Sequence, residues 1–298
     1  MSCTHACQTA VPKIADYYSE NLYTWCTNCG NYGIHGALKR ALVAQKIPSC
    51  KAVLCFDIGC NGNGSDKIEG YRFHGLHGRI ISFACGVAVA NPKLTVIASA
   101  GDGATFGEGI GHLIHAIRGN YNITFMFHNN LNYGLTKGQA SPTTKPGTGM
   151  NSSPDGINSE PVHPMRLVLS LNPTFVARSF SGDVKHMDGV IQRAMNHRGF
   201  SFVEILQSCP TYNKQTPHEW YQERVFDVKN VPGYDPQSKS AATAISADLE
   251  EKIALGVLYQ NTESLSFIEN QANRVGVTTT LVEEVTPFNV TELANSFR

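Results

Sequence analysis

The sequence predicts an α/β protein, a mostly parallel sheet with helices on both faces, followed by an irregular C-terminal extension. Three observations carry this. Short apolar runs at 51–58 (KAVLCFDI), 94–98 (LTVIA) and 122–127 (NITFMF) have the length and composition of buried strands. The stretches between them are long enough for helices, and several repeat apolar residues at helical spacing. Strands that alternate with helices in this way form right-handed βαβ units, which require a parallel sheet covered on both sides.

The first helix is expected over 32–45, where Ile34, Leu38, Ala41 and Leu42 recur on one face. A buried strand follows at 51–58, a helix rich in small residues at 79–90 and a strand at 94–98. After Gly101-Asp102-Gly103, residues 107–119 suit a helix and 122–127 a strand. From Asn129 to Glu160 the chain is polar and rich in Gly and Pro, and a loop that long inside an α/β domain is usually functional. Helix 162–171, strand 174–178, helix 184–197 and strand 202–206 complete the pattern. Beyond Pro210 the rhythm is lost: 212–236 reads as irregular and aromatic, and 247–259 as helical. The chain therefore divides into an α/β domain, 1–212, and an extension, 213–298.

Twenty-four Lys and Arg balance 24 Asp and Glu, without dense basic clusters, so binding to nucleic acid or an anionic membrane is not expected. The low charged fraction, 16%, suits a surface partly covered by a partner. No apolar run reaches the roughly 18 to 20 residues of a membrane span. The start, MSCTHACQTAVPK, lacks the basic and apolar regions of a secretory signal, so the chain is expected in the cytoplasm. There, nine cysteines argue against a disulfide framework and for free thiols plus a metal or redox centre.

In open parallel sheets, ligands sit at the carboxyl ends of the strands. Strand 94–98 runs into Gly101-Asp102-Gly103, and the next strand ends in Asn129-Asn130. Asp102 offers a carboxylate and Asn130 a side-chain carbonyl. With a backbone carbonyl beyond Asn130 and diphosphate oxygens, these make the hard oxygen shell that Mg²⁺ demands. The glycines let backbone approach a phosphate, and a following helix N-terminus would add donors.

Cys26 and Cys29 form a C-x₂-C turn able to grip a metal. Cys60 and Cys209 each follow a strand, at the edge where Asp102 stands. Four thiolates suit zinc or a [4Fe–4S] cluster, and the absence of a second C-x₂-C counts against a zinc ribbon. On chemistry alone, iron–sulfur, zinc and unrelated thiols all stay open. Cys50, Cys55 and Cys85 lie within or beside apolar stretches and read as small buried residues, and Cys3 and Cys7 as part of a flexible terminus.

Gly101–Gly103 with its Asn-containing second half resembles the thiamine-diphosphate motif. The segments 130–144 (NLNYGLTKGQASPTT), 25–30 (WCTNCG), 58–60 (IGC), 77–79 (HGR), 112–116 (HLIHA) and 203–213 (VEILQSCPTYN) are similar to the β subunits of 2-oxoacid:ferredoxin oxidoreductases. The likeness runs in unbroken order over residues 22 to 215.

The resemblance implies Mg²⁺ on Asp102, Asn130 and the backbone oxygen of Asn132, and a [4Fe–4S] cluster on Cys26, Cys29, Cys60 and Cys209. Thiamine diphosphate contacts fall at Ile58, Gly59, Cys60 and Asn61, at His77, at Gly101, Gly103 and Ala104, and at Gly134, Leu135 and Thr136. The implied reaction is reversible oxidative decarboxylation of a 2-oxoacid to acyl-coenzyme A and CO₂, with electrons passed to ferredoxin. An α subunit would complete an αβ or α2β2 enzyme, supply the glutamate that thiamine chemistry needs, and meet the 213–298 extension. Where many relatives have Gly, this chain has Lys137, which could pair with a distal carboxylate and favour 2-oxoglutarate over pyruvate. His77 could touch cofactor or substrate, whereas His74, His112 and His115 read as structural. The chain departs from the family at Ala104 and Asn129, where acidic residues are usual, and at Arg118-Gly119, where paired arginines are. None of these removes a metal ligand. A thiamine-dependent decarboxylase without a redox centre and a zinc-stapled binding module are the competing readings.

Overall fold

Strands β1 (Ala52–Phe56), β2 (Tyr71–His74), β3 (Thr95–Gly101), β4 (Ile123–Asn129), β5 (Phe175–Phe180), β6 (Phe200–Leu206), β7 (Val225–Asp227) and β8 (Ile253–Gln260) form one sheet. Their order is β2-β1-β3-β4-β6-β5-β8-β7. Every neighbouring pair is parallel except β5 and β8. This computed structural model describes residues 11–246, 251–285 and 289–297, so Cys3 and Cys7 lie outside the described residues.

Alternate residues of the central strands face opposite layers. On one side Ala52, Leu54 and Phe56 join a cluster with α1 (Asn31–Ala44) and α5 (Val184–Met195). On the other, Val53 and Cys55 pack with α2 (Ile80–Ala90), α3 (Ile110–Gly119) and α4 (Pro164–Ser170). Burial on both faces explains why these strands read as continuous apolar runs rather than alternating ones. Phe125, Phe127, Phe200 and Phe202 knit β4 to β6, the Phe127 and Phe202 rings lying 5.6 Å apart. Burying each such ring is worth about 1.5–3 kcal/mol. The centre of the sheet is therefore a rigid base for whatever its carboxyl edge carries.

Several expectations need correction. The stretch read as a helix at 247–259 is strand β8 from Ile253, running antiparallel to β5, and 247–250 lie outside the described residues. A short apolar run buried on most of its length cannot be told from a buried helix by periodicity. The extension is thus not wholly irregular, because β7 and β8 continue the sheet across the expected boundary at 212. Strand β2 was not expected: it is four residues, all exposed, on the edge beside β1. The helix expected from 107 begins only at Ile110, and a π-helical turn, Gly103–Glu108, precedes it.

Candidate functional site

Because β1, β3, β4 and β6 are parallel, the segments leaving them emerge on one edge. Those segments carry Cys60, Asp102, Asn130 and Cys209. A cavity of about 60 Å³ opens there. Its walls include Ile58, Gly59, Cys60 and Asn61 after β1, and His77 ahead of α2. Gly101, Asp102, Gly103 and Ala104 come from the end of β3 and the π-helical turn. Asn130 and Asn132 follow β4, with Gly134, Leu135 and Thr136 on the loop beyond. Lys137 stands outside this lining, exposed, with a left-handed φ of 76°. Asn31, Glu108, His128, Tyr133 and Gln207 also line the cavity and were not anticipated. A groove of about 710 Å³ lies at the β7 end of the sheet, away from these converging ligands.

Asp102 is 2% exposed. Its Oδ2 accepts from Ser141 Oγ at 2.6 Å and faces Thr143 Oγ1 at 2.9 Å. Burial pushes the carboxyl pKa up to about 6, against the pull of those two hydroxyls. Thr144 Oγ1 donates to the Leu131 carbonyl at 2.7 Å, so the Ser141–Thr144 segment braces both halves of the site. Asn132 Nδ2 donates to the Asn130 carbonyl at 2.8 Å, and Asn213 Nδ2 to the same oxygen at 3.2 Å. Gly103 has no room for a side chain, since a Cβ there would lie 2.0 Å from the Tyr133 ring. π-helical turns such as the one it opens are rare and concentrate at functional sites.

Three buried polar atoms on cavity-lining residues lack hydrogen-bond partners among the described residues: Asn132 Oδ1, Asn31 Nδ2 and Gln207 Oε1. Each such atom costs about 1–3 kcal/mol unless something meets it. A divalent cation or its water would satisfy the Asn132 acceptor, and an anionic oxygen the Asn31 donor. The oxygens of Asp102, Asn130 and Asn132 are the hard ligands that Mg²⁺ with a diphosphate requires.

The cysteines gather beside this cavity. Cys29 N donates to the Cys26 carbonyl at 3.1 Å, closing the C-x₂-C turn, and Asn28 within it is left-handed at φ 63°. Trp25 Nε1 donates to the Cys60 carbonyl at 2.6 Å, and Gln207 Nε2 to Cys29 Sγ at 3.5 Å. Burial first, then the thiols of Cys29, Cys209 and Cys26, push the Cys60 thiol up to about 12. Cys29 is raised by burial and by Cys209 and Cys26. The wall between thiols and cavity is thin: a Cβ on Gly134 would lie 3.2 Å from Cys60 Sγ, 3.3 Å from Asn132 Oδ1 and 4.0 Å from Cys209 Sγ. Among the described residues, no three His, Cys, Asp or Glu converge tightly enough to hold a metal ion. Cys55 is buried in the core and Cys85 packs against it, whereas Cys50 is disulfide-bonded, against the expectation of a free buried thiol.

Asp57, also unanticipated, pins the His77 loop to β1. Its Oδ1 accepts from Ile58 N at 2.8 Å and Gly78 N at 3.0 Å, and Oδ2 from Ile80 N at 3.2 Å. Burial lowers the His128 pKa to about 4, so this ring is neutral where it meets Ser99 Oγ at 2.9 Å and Asn31 Oδ1 at 3.1 Å.

Comparison with known proteins places this geometry. Residues 57–205 match the family described as thiamine pyrophosphate enzyme, C-terminal TPP binding domain. Residues 209–274 match a second family, described as the C-terminal part of the pyruvate ferredoxin oxidoreductase beta subunit. The 2-oxoacid:ferredoxin oxidoreductase subunit beta of Saccharolobus solfataricus is 40% identical over 80% of this chain and 81% of its own. The 2-oxoglutarate oxidoreductase subunit KorB of Mycobacterium tuberculosis is 37% identical over 73% of this chain and 60% of its own. A solved 2-oxoglutarate:ferredoxin oxidoreductase from Magnetococcus marinus, with 2-oxoglutarate, coenzyme A and succinyl-CoA bound, superposes with a TM-score of 0.85 at 32% identity, covering 96% of both chains. The fold has its counterpart in an oxidoreductase, and the chain belongs to the β subunits of the 2-oxoacid:ferredoxin oxidoreductases.

Proposed function

We propose that this β subunit holds Mg²⁺, thiamine diphosphate and one [4Fe–4S] cluster side by side. With an α subunit it converts a 2-oxoacid and coenzyme A to acyl-coenzyme A and CO₂, releasing two electrons to ferredoxin. The observation that carries the reading is Cys60: it lines the thiamine-diphosphate cavity while its thiol interacts with those of Cys26, Cys29 and Cys209.

Asp102, Asn130 and the Asn132 oxygens would hold Mg²⁺. Asn31 and the backbone at Gly103 would receive the diphosphate, and the four cysteines the cluster. Thiamine diphosphate supplies the nucleophilic carbon and the electron sink for decarboxylation; the protein binds and orients it. The thiols of Cys26, Cys29 and Cys209 all act on that of Cys60, and four thiolates are what a [4Fe–4S] cluster requires.

The site is completed by the α subunit. A cavity of about 60 Å³ is far below the roughly 300–1,000 Å³ of a whole small-molecule pocket. Of the two acids lining it, Asp102 belongs to the metal, and Glu108 is exposed and accepts from Tyr133 Oη at 3.2 Å. The activating glutamate would therefore come from the α chain. We place contact with that chain on the extension, where Val275, Val285 and Phe297 are exposed.

We further propose 2-oxoglutarate as substrate, read by Lys137 at the rim beside Leu135 and Thr136. Two of the similar proteins are named for that acid. Lys137→Ala should lower kcat/KM for 2-oxoglutarate about tenfold relative to pyruvate, the scale of one charge-assisted contact; an unchanged ratio would sink the assignment.

The anaerobically purified α–β complex tests the cofactor set. About four irons per β chain and brown protein are expected. Cys60→Ser should lose the iron and Cys85→Ser retain it. Colourless protein with stoichiometric zinc would overturn the reading.

A further inference from the structure

Arg178 and Glu204 face each other on β5 and β6, and are 0% and 1% exposed. Arg178 Nε donates to Glu204 Oε2 at 2.7 Å, while its two terminal nitrogens lack hydrogen-bond partners among the described residues. Such a pair is a poor stabiliser, because two charges lose their water and unmatched N–H groups add to the penalty. What it does supply is a carboxylate locked in place.

The other oxygen of Glu204, Oε1, accepts from Asn129 Nδ2 at 2.8 Å. A carboxylate only accepts, so the Asn129 amide must turn its nitrogen toward Glu204 and its oxygen away. That oxygen faces Thr143 Oγ1 at 3.1 Å, and the same hydroxyl lies 2.9 Å from Asp102 Oδ2. One hydroxyl proton thus stands between two acceptors, with Ser141 as the second donor to Asp102. Asn129, Thr143 and Asp102 are 4%, 3% and 2% exposed, and Asn129, Thr143 and Glu204 also line a neighbouring cavity of about 230 Å³. Asn129 is also the last residue of β4, immediately before Asn130.

We propose that Glu204, fixed by Arg178, is a positioning residue for the metal site. Through Asn129 and Thr143 it sets the orientation of Asp102, and through the end of β4 that of Asn130. The proposal rests on the reading that Asp102 and Asn130 hold Mg²⁺.

The test is calorimetric titration of Mg²⁺ into the co-purified α–β complex at saturating thiamine diphosphate, without substrate. Thr143→Val keeps the shape and removes the hydroxyl; it should weaken Mg²⁺ binding about tenfold, the usual scale for partners of metal ligands. Thr143→Ser should restore most of that affinity. Glu204→Gln should weaken binding on its own and add less than about twofold to Thr143→Val, since groups acting in series are non-additive. Because breaking a buried pair can unfold the chain, Asn129→Leu serves as a second interruption that leaves Arg178 and Glu204 together. It should show the same non-additivity. Wild-type affinity in Thr143→Val, or independent effects of Thr143→Val and Asn129→Leu, overturns the proposal while Asp102→Asn still abolishes Mg²⁺ binding. If Asp102→Asn binds Mg²⁺ like the wild type, the underlying reading falls instead, and the proposal with it.

Discussion

A methyl group on Gly103 would meet the Tyr133 ring at 2.0 Å, so the site depends on a residue that contributes no side chain. Gly103→Ala must displace either that ring or the π-helical turn, at about 1–3 kcal/mol. We expect weaker thiamine diphosphate binding to the α–β complex and a lower Tm; wild-type affinity by calorimetry would contradict the packing described. Asp102, Asn130 and Cys60 were legible because chemistry-bearing residue types directly follow strands, where parallel sheets place their ligands. Ser141, Thr143 and Glu204 were not. Two are hydroxyls in a long polar loop and one is an acid inside an apolar strand, and only the tertiary approach of β4, β6 and the loop gives them a role.

At the scale of elements, β1, β3, β4 and β6 could be read from apolar runs of strand length, and these four carry the site. Strand β2 was invisible because none of its four residues is buried and burial is what patterns a sequence. Strand β8 was mistaken for helix because it is apolar along most of its length; within it Gly256 has φ 111°. An alanine there would be strained, and its Cβ would lie 2.9 Å from Val228 Cγ2. Gly256→Ala should destabilise by about 1–3 kcal/mol, lowering Tm by several degrees, roughly 2–4 °C per kcal/mol in chains near this size. Iron content should be unchanged, since β8 lies outside the strands that carry the cysteines; loss of iron together with Tm would show that the extension reaches the cluster.

Across the whole molecule, buried histidines tie stability to pH. Burial lowers the pKa of His35 to about 3, and of His128 and His197 to about 4. Unfolded, each titrates near 6.5. As pH falls through 6.5 the unfolded chain takes up protons first, so stability is lost between about pH 6.5 and 4, by up to roughly 1.4 kcal/mol per pH unit for each ring. Asp57 and Asp102, raised by burial, act in the opposite sense in the metal-free protein and offset part of the loss. Denaturant unfolding across this window should show a net decline as pH falls, less steep in His197→Gln, whose ring lies away from the cavity. A flat profile would contradict neutral buried rings.

At the same scale, the sheet brings the thiols and the cavity to one edge, with Cys60 in the cavity wall and Gly134 beside it. Under the proposed function, substrate oxidation in the cavity reduces the cluster before any other acceptor is present. The decisive measurement mixes 2-oxoglutarate anaerobically with the α–β complex carrying thiamine diphosphate and Mg²⁺, without ferredoxin, and follows visible absorbance and electron paramagnetic resonance. Adjacency predicts bleaching and a reduced-cluster signal that Cys60→Ser abolishes. Consumption of 2-oxoglutarate without a cluster signal would contradict it.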